Sequence, residues 1–469
     1  MPWRALGRPP GRLLRLGSRG EPVAALQRRL RELGYDPGAD DGIYGHQTAE
    51  AVRDLQRDVG LRVDGIAGPR VMAVLDDPDL LALRRTHTVA TGDTLGDAAR
   101  ALGVPPQVLR RACGLSRQGQ IAPGRRVVVW ERWLAAEIKP GAAQAAALRT
   151  VSRRAGLVSV VSVVARGGPG DDPAAGETAA AAAELGLPVW VTLHTRREPA
   201  LVPGDDHPGR LQQTLHRARE RERLAAQLQA WCGAGPISGV HVDFSGLRFG
   251  DGPRAVALVR RLGAEARAAG RRLIVSVPMR DLDGLWGRVA DDLDWEVLAR
   301  HADHVVLTPP VLVDGPAPRP PSPAELRRRL RLMIRRLPPW RCLLAVPVGA
   351  LVVPAAWGQA DPVAAADQGE RGLGLSVVSY PRAISLGRAS RARPEWEGAA
   401  GRPVIRCAYE GRESAVWLEN RSSLAEKLDL AEDLRLGGIY VSAVGEEDGR
   451  LWGLVEERWK VHKPVPAPG

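Results

Sequence analysis

Aromatic residues are scarce in this sequence. There are 5 tyrosines and 2 phenylalanines in 469 residues, and even with 13 tryptophans the aromatic share is 4%. A cleft that grips sugar rings or bases by stacking has few platforms to draw on. Cysteine is equally sparse: Cys113, Cys232, Cys342 and Cys407 lie far apart with no CxxC spacing. That argues against a metal site or redox pair and for free buried thiols, and neither a metal nor a cofactor is expected. Long apolar runs are missing as well. LVSVVSVVA, residues 157–165, has strand length and falls far short of the roughly 20 residues that span a bilayer, so no membrane span is expected. Residues 1–20 are basic but hold no continuous apolar stretch and no small-residue cleavage site, so a secretory signal is not expected.

The length suits two or three domains, and 44% apolar residues supply ordinary cores. Lys and Arg number 66 against 54 Asp and Glu, a net charge of +12. Such a balance favours a polyanionic partner: nucleic acid, anionic lipid or an acidic wall polymer. The arginines, however, are spread over helical faces, as in RRRLRLMIRR at 327–336, and no helix-turn-helix, zinc-finger or aromatic RNA-binding pattern accompanies them. Nucleic acid is therefore disfavoured.

DGIYGHQTAEAV at 41–52 is echoed by DGIAGPRVMAVL at 64–75. In each, Asp-Gly makes a tight turn, a second glycine allows a positive φ, and an apolar-periodic helix follows. With LGSRGEPVAALQRRLRELGY at 16–35, the segment resembles the type 1 peptidoglycan-binding domain. Gly17, Gly20, Val23, Leu26, Gln27, Leu30, Asp41, Gly42, Gly45, Thr48, Gln56, Asp64, Gly65 and Gly68 match its pattern, and Leu55 replaces a usual phenylalanine. The resemblance implies a small helical domain over 14–76, with Asp41, Gly42, Asp64 and Gly65 as candidate glycan contacts; the same residues also read as turn-builders.

Residues 87–115, HTVATGDTLGDAARALGVPPQVLRRACGL, and QIAPGRRVVV at 120–129 read as strand, turn, helix, turn, helix and strand. They resemble a LysM module, a βααβ unit that binds N-acetylglucosamine glycans, over 86–130. The resemblance places its groove at 92–95 and 120–124, with Gly92, Asp93, Thr94, Leu95, Ile121, Pro123 and Gly124 as candidate contacts. Asp93 and Thr94 equally suit helix capping, and Cys113 stands where the family has Asn.

From residue 131 strands alternate with helices. Apolar strand patterns fall near 133–138, 157–165, 188–194, 239–244, 272–277, 304–307, 343–347 and 438–442, with helical stretches such as 216–232 and 252–270 between them. The expected class is α/β, a (β/α)8 TIM barrel with its mouth at the C-terminal strand ends, where Asp243, Ser245 and the residues after Leu307 would sit. Through AAEIKP, GVHVDF, LIVSVP, ADHVVL, LLAVPVGA and residues 416–445, the segment 131–461 is similar to glycoside hydrolase family 18, including its LysM-bearing spore-cortex N-acetylglucosaminidases. The resemblance implies a small insertion around 375–417.

It also exposes departures. The family's strand-four signature D-G-x-D/N-x-D-x-E falls on Ser238, His241, Asp243 and Ser245 at its acidic positions. Ser245 thus replaces the general acid, and a serine cannot protonate a leaving alcohol near neutral pH; losing such a group costs roughly 10²–10⁴-fold in rate. Of the strand-six residues that hold the substrate acetamide, Tyr and Asp become Pro310 and Val311, and the strand-eight Trp becomes Ser442. Asp243 alone keeps its family identity there, either as a satisfied structural carboxylate, a sugar contact or a catalytic remnant. His241 shares its strand face, as a structural hydrogen-bond partner or half of an acid/base dyad.

The expectation is a protein that binds peptidoglycan or another N-acetylglucosamine glycan in the cell wall, spore cortex or coat, made in the mother-cell cytoplasm, with a degenerate barrel. The alternative is an active N-acetylglucosaminidase with a relocated acid at Asp251 or in GEEDGR, 445–450. Residues 76–85 and 463–469 are expected to be flexible.

Overall fold

The computed structural model describes residues 13–77, 80, 82–116, 120–141, 143–194, 214–244, 247, 250–279, 293–312, 317–355, 375–398 and 400–464. The chain divides into two compact units, 1–131 and 132–469.

The N-terminal unit opens with helices Glu21–Glu32, His46–Asp58 and Pro69–Leu75. Val23, Leu26, Leu30, Val52, Leu55, Val71 and Val74 are buried there, recurring at three- and four-residue intervals as an amphipathic bundle requires. Strand β1 (Arg84–Thr88), helices Leu95–Leu102 and Pro106–Ala112, and the first residues of β2 (Arg126–Ile138) follow. β1 pairs antiparallel with residues 126–130. Val89, Ala98, Ala99, Leu109, Ile121, Val127 and Val129 form a small separate core.

Among the described residues of 76–85, three differ from the flexible linker expected. Asp77, Leu80 and Leu83 are buried, and the Asp77 carboxylate accepts the Leu80 N–H at 3.3 Å. Two leucines three residues apart have apolar surface to hide, and that outweighs the loop-like composition.

In the second unit, residues 133–138 of β2 begin a parallel series: β3 (Val160–Ala165), β4 (Val189–His194), β5 (Ile237–Asp243), β6 (Arg272–Pro278), β7 (His304–Thr308) and β8 (Cys342–Pro347). After β9 (Ala350–Pro354), β10 (Ser376–Val378), β11 (Glu395–Glu397), β12 (Arg402–Tyr409) and β13 (Arg412–Trp417), β14 (Gly438–Ser442) pairs in parallel with both β8 and β2, closing the barrel; β15 (Lys460–Val461) also pairs with β2. β3 is buried at every position, which is why it reads as a valine run rather than an alternation. A Cβ on Gly438 would stand 1.9 Å from the Trp133 carbonyl oxygen, so closure there needs glycine.

The N-terminal end of the barrel is plugged. Trp133 stacks on Trp190 with ring centroids 5.9 Å apart, and His304 and His462 lie 4.7 and 4.9 Å from Trp133. Between β8 and β14 in the chain, β9 to β13 form a separate antiparallel sheet in the order β10-β9-β13-β12-β11. The sheet reaches back to residue 350, ahead of the 375–417 expected for the insertion. Helix Tyr380–Ala389 packs on it through Ala383 against Ile405 and Val416. Glu419 anchors the sheet to the barrel: its carboxylate accepts Lys427 Nζ at 2.6 Å and Ser423 Oγ at 2.5 Å, and lies 3.4 Å from Arg402 of β12.

Candidate functional site

The echoed turns of the helical bundle are built by one device used twice. Gln27 Nε2 donates to Asp41 Oδ1 and to the Ile43 carbonyl, both at 3.0 Å, while Gln27 Oε1 accepts the Gly42 N–H. Gln56 does the same for Asp64 at 2.8 Å, Ile66 at 3.1 Å and Gly65 at 2.8 Å. Each aspartate also accepts the N–H two residues on, and Gly42 and Gly65 sit at φ 68 and 71, conformations that favour glycine. The Asp41 carboxyl is held below the usual range by the Ile43 N–H and then by Gln27. For Asp64, burial pushes upward, but Ile66 and Gln56 win and its carboxyl is lowered too. These four candidates therefore shape their turns with the very groups proposed for ligand contact, leaving both carboxylates exposed beside the bends.

In the second module the two candidate loops are brought together. The Val89 N–H donates to the Arg125 carbonyl at 3.0 Å, and the Gly124 N–H to the Val89 carbonyl at 2.8 Å. The turn carrying Gly92 thus runs beside the loop carrying Pro123 and Gly124, and all three are exposed. Thr94 caps helix Leu95–Leu102 in a capping box with Asp97. Asp93 accepts the Ala90 N–H at 2.9 Å and lies 3.1 Å from His87 Nε2; these two contacts, in that order, keep its carboxyl below the usual range. Leu95 packs on the module's core and Ile121 is buried within it. Of the candidates, Gly92, Thr94, Pro123 and Gly124 remain exposed.

At the barrel mouth, Asp243 ends β5, half-buried, in register with His194 of β4 and Ser276 of β6. Ser245 lies outside the described residues. Ser238 Oγ donates to the Val189 carbonyl at 2.9 Å, a contact that pins β5 to β4. Pro310 and Val311 follow β7 and Ser442 ends β14, all half-buried.

Inward polar side chains form one chain, level with Asp243 at Ser276 and two residues below it at His241. Tyr440 donates to Glu137 Oε2 at 2.7 Å and lies 3.2 Å from Ser162 Oγ; Ser162 and Thr192 are 2.6 Å apart. Thr192 Oγ1 is 3.1 Å from His241 Nδ1, and His241 Nε2 is 2.7 Å from Ser276 Oγ. Both ring nitrogens of His241 thus have hydroxyl partners, and every member is buried. Burial, and next the Glu137 charge, push the Tyr440 hydroxyl well above its ordinary range, so it stays a donor. Glu137 escaped notice in the sequence because AAEIKP carries no motif at that position; its partner Tyr440 is 303 residues away.

Among the proposed relocated acids, Asp251, Glu447 and Asp448 each have a side-chain partner. Asp251 is buried with its Oδ1 2.9 Å from His216 Nε2. Glu447 accepts the Trp452 indole N–H at 3.0 Å, and Asp448 accepts Arg450 at 2.7 Å. The tryptophans are mostly structural too: Trp133, Trp190, Trp231 and Trp452 are among the largest fully buried side chains, while Trp396 on β11 is 50% exposed. Among the described residues no group of three or more His, Cys, Asp or Glu is placed to hold a metal ion, and no helix is long and apolar enough to cross a membrane.

Comparison with known proteins agrees with this division. Residues 19–75 match the family described as "Putative peptidoglycan binding domain", and residues 87–130 match the LysM domain. The N-acetylmuramoyl-L-alanine amidase CwlM of Mycobacterium tuberculosis is 46% identical over 56 residues, 12% of this chain and 14% of the amidase. The chain therefore spans only a small part of that curated relative. Among solved structures, the spore cortex-lytic enzyme SleL of Bacillus megaterium QM B1551 superposes with a TM-score of 0.54 at 19% identity, covering 81% of this chain and 87% of SleL. A chitinase from Chromobacterium violaceum ATCC 12472 gives 0.55 at 20% identity, covering 70% of this chain and 98% of the chitinase. At these identities the likeness establishes the barrel fold.

Proposed function

We propose that this protein binds peptidoglycan or a related N-acetylglucosamine glycan of the cell wall or spore cortex through its N-terminal unit, and that its family-18-like barrel is a scaffold without hydrolytic activity. The observation that carries the second half is the hydrogen-bonded chain from Glu137 to Ser276. It engages these inward polar groups of the barrel with one another beside Asp243, the carboxylate that ends β5. The replacements Ser245, Pro310, Val311 and Ser442 support the same reading. Asp243 is then a residual family residue that a glycan at the mouth would meet. The candidate contacts of the N-terminal unit are turn backbone at 92–95 and 121–124, with Asp41 and Asp64 beside their bends.

Glycan and nucleic acid make opposite predictions for the basic chain. Purified sacculi should pellet the protein, and added duplex DNA should not release it. Capture by DNA that collapses steeply with salt, as phosphate binding does, with no retention on sacculi, would favour a nucleic-acid partner instead.

A second reading, an active N-acetylglucosaminidase, draws on Glu137: a buried carboxylate near the C-terminal end of the first barrel strand, with a tyrosine hydroxyl 2.7 Å away. It requires that cortex muropeptides or chitooligosaccharides yield new reducing ends, and that Glu137→Gln or Asp251→Asn abolish them.

A further inference from the structure

The two glycan-module segments are joined by contacts that belong to neither alone. Tyr35, from the turn after helix Glu21–Glu32, is buried with its ring between two guanidinium groups: Arg84 stands 4.5 Å and Arg126 4.4 Å from the ring centroid. The Tyr35 hydroxyl donates to Asp58 Oδ2 at 2.7 Å, and the same carboxylate oxygen lies 3.5 Å from Arg84 and 3.9 Å from Arg126. Arg84 also donates to the Leu33 carbonyl. Arg84, in the stretch between the matched segments 19–75 and 87–130, begins β1, and Arg126 begins β2. Those strands lead into and out of the turn at 92–95 and the loop at 121–124. The connecting residues add a contact of their own: the Glu131 N–H donates to the Leu83 carbonyl at 2.7 Å.

Guanidinium groups suit this position, because they are weakly hydrated and stack on aromatic faces while donating in their own plane. A buried arginine without such partners would be costly, so Arg84 and the Tyr35–Asp58 pair hold each other in place.

We propose that the clasp makes the peptidoglycan-binding and LysM segments one rigid two-point receptor for a single long N-acetylhexosamine glycan. This rests on the glycan-binding reading above. Once one segment has engaged a strand, a fixed spacing presents the second at high effective concentration, whereas a slack tether dilutes it and adds an ordering cost.

The test uses the full chain, a short N-acetylglucosamine oligomer that fills one site, and long peptide-free glycan strands. The wild type should bind long strands at least about tenfold more tightly than the oligomer. In Arg84→Ala/Arg126→Ala, oligomer affinity should stay within about twofold while the long-strand advantage falls about tenfold. Hydrogen exchange should show the two segments opening together in the wild type and separately in the variant. Tyr35→Phe, which keeps the ring and loses the Asp58 contact, should fall between.

A wild type that binds neither probe overturns the glycan-binding reading itself. Equal wild-type affinity for both probes overturns the two-point receptor alone. So does a double variant whose segments open separately yet keep the long-strand advantage, and so does one whose segments still open together.

Discussion

In the N-terminal unit, Asp41, Asp64 and Asp93 each accept backbone N–H groups of their own turns and leave those turns at the surface. In the barrel, Glu137, Ser162, Thr192, His241, Ser276 and Tyr440 point inward and are partnered by one another. These particular groups are hydrogen-bonded in both regions, as buried or constrained groups tend to be, but with different results. The turns are held by their own side chains, while in the barrel hydroxyls, an imidazole and the Glu137 carboxylate are linked to one another across several strands.

The contrast can be broken at graded cost. Glu419→Ala should have the largest effect: it leaves Lys427 and Arg402 as buried cations without their carboxylate, and loss of one partner from such a cluster costs about 3–5 kcal/mol. Urea unfolding of the barrel unit would measure it, and a loss below about 1 kcal/mol would show that the anchor of the second sheet is dispensable.

Tyr440→Phe removes the donor to Glu137 and should cost about 2–3 kcal/mol, near the upper end for an unsatisfied buried group. Retention on sacculi should be unchanged, so a barrel variant that keeps its stability but loses glycan binding would reverse the assignment of the two regions. Gln56→Ala should cost about 1–2 kcal/mol and, unlike Tyr440→Phe, should weaken sacculus binding. Gln27→Ala should behave alike, because the two clamps are built the same way.

The smallest effect is on acid sensitivity. The carboxyls of Asp41, Asp64 and Asp93 are lowered in the folded chain. Their stabilisation is therefore complete above the ordinary carboxylate range near pH 4 and is lost as pH falls through their lowered values. Melting of the N-terminal unit followed from about pH 5 to about pH 2.5 should decline, and Asp41→Asn/Asp64→Asn, which retain the carbonyl acceptor, should flatten the decline. An unchanged slope would mean that the turns do not depend on the charge.

The barrel was legible in the sequence because each parallel strand is a compact apolar run. Gly438–Ser442 coincides with its expected bounds, and Arg272–Pro278 differs by one residue. The paired turns were legible in part: Asp-Gly makes each bend, but the positive φ falls on Gly42 and Gly65 and not on the second glycines, Gly45 and Gly68, and the glutamine clamps were not read. The Glu137–Tyr440 contact was not legible, since it depends on which strand closes the barrel against β2. The burial of Asp77, Leu80 and Leu83 was missed because the Asp-rich composition around them hides two leucines that pack, and the Tyr35 clasp because it joins residues from four separate stretches.

The most direct test incubates the wild-type chain with intact cortex peptidoglycan or sacculi and follows, in one time course, the protein in the pellet and the reducing ends in the supernatant. Stable sedimentation with no reducing ends above a protein-free control is the predicted result. Reducing ends that rise with time and scale with protein concentration would contradict it.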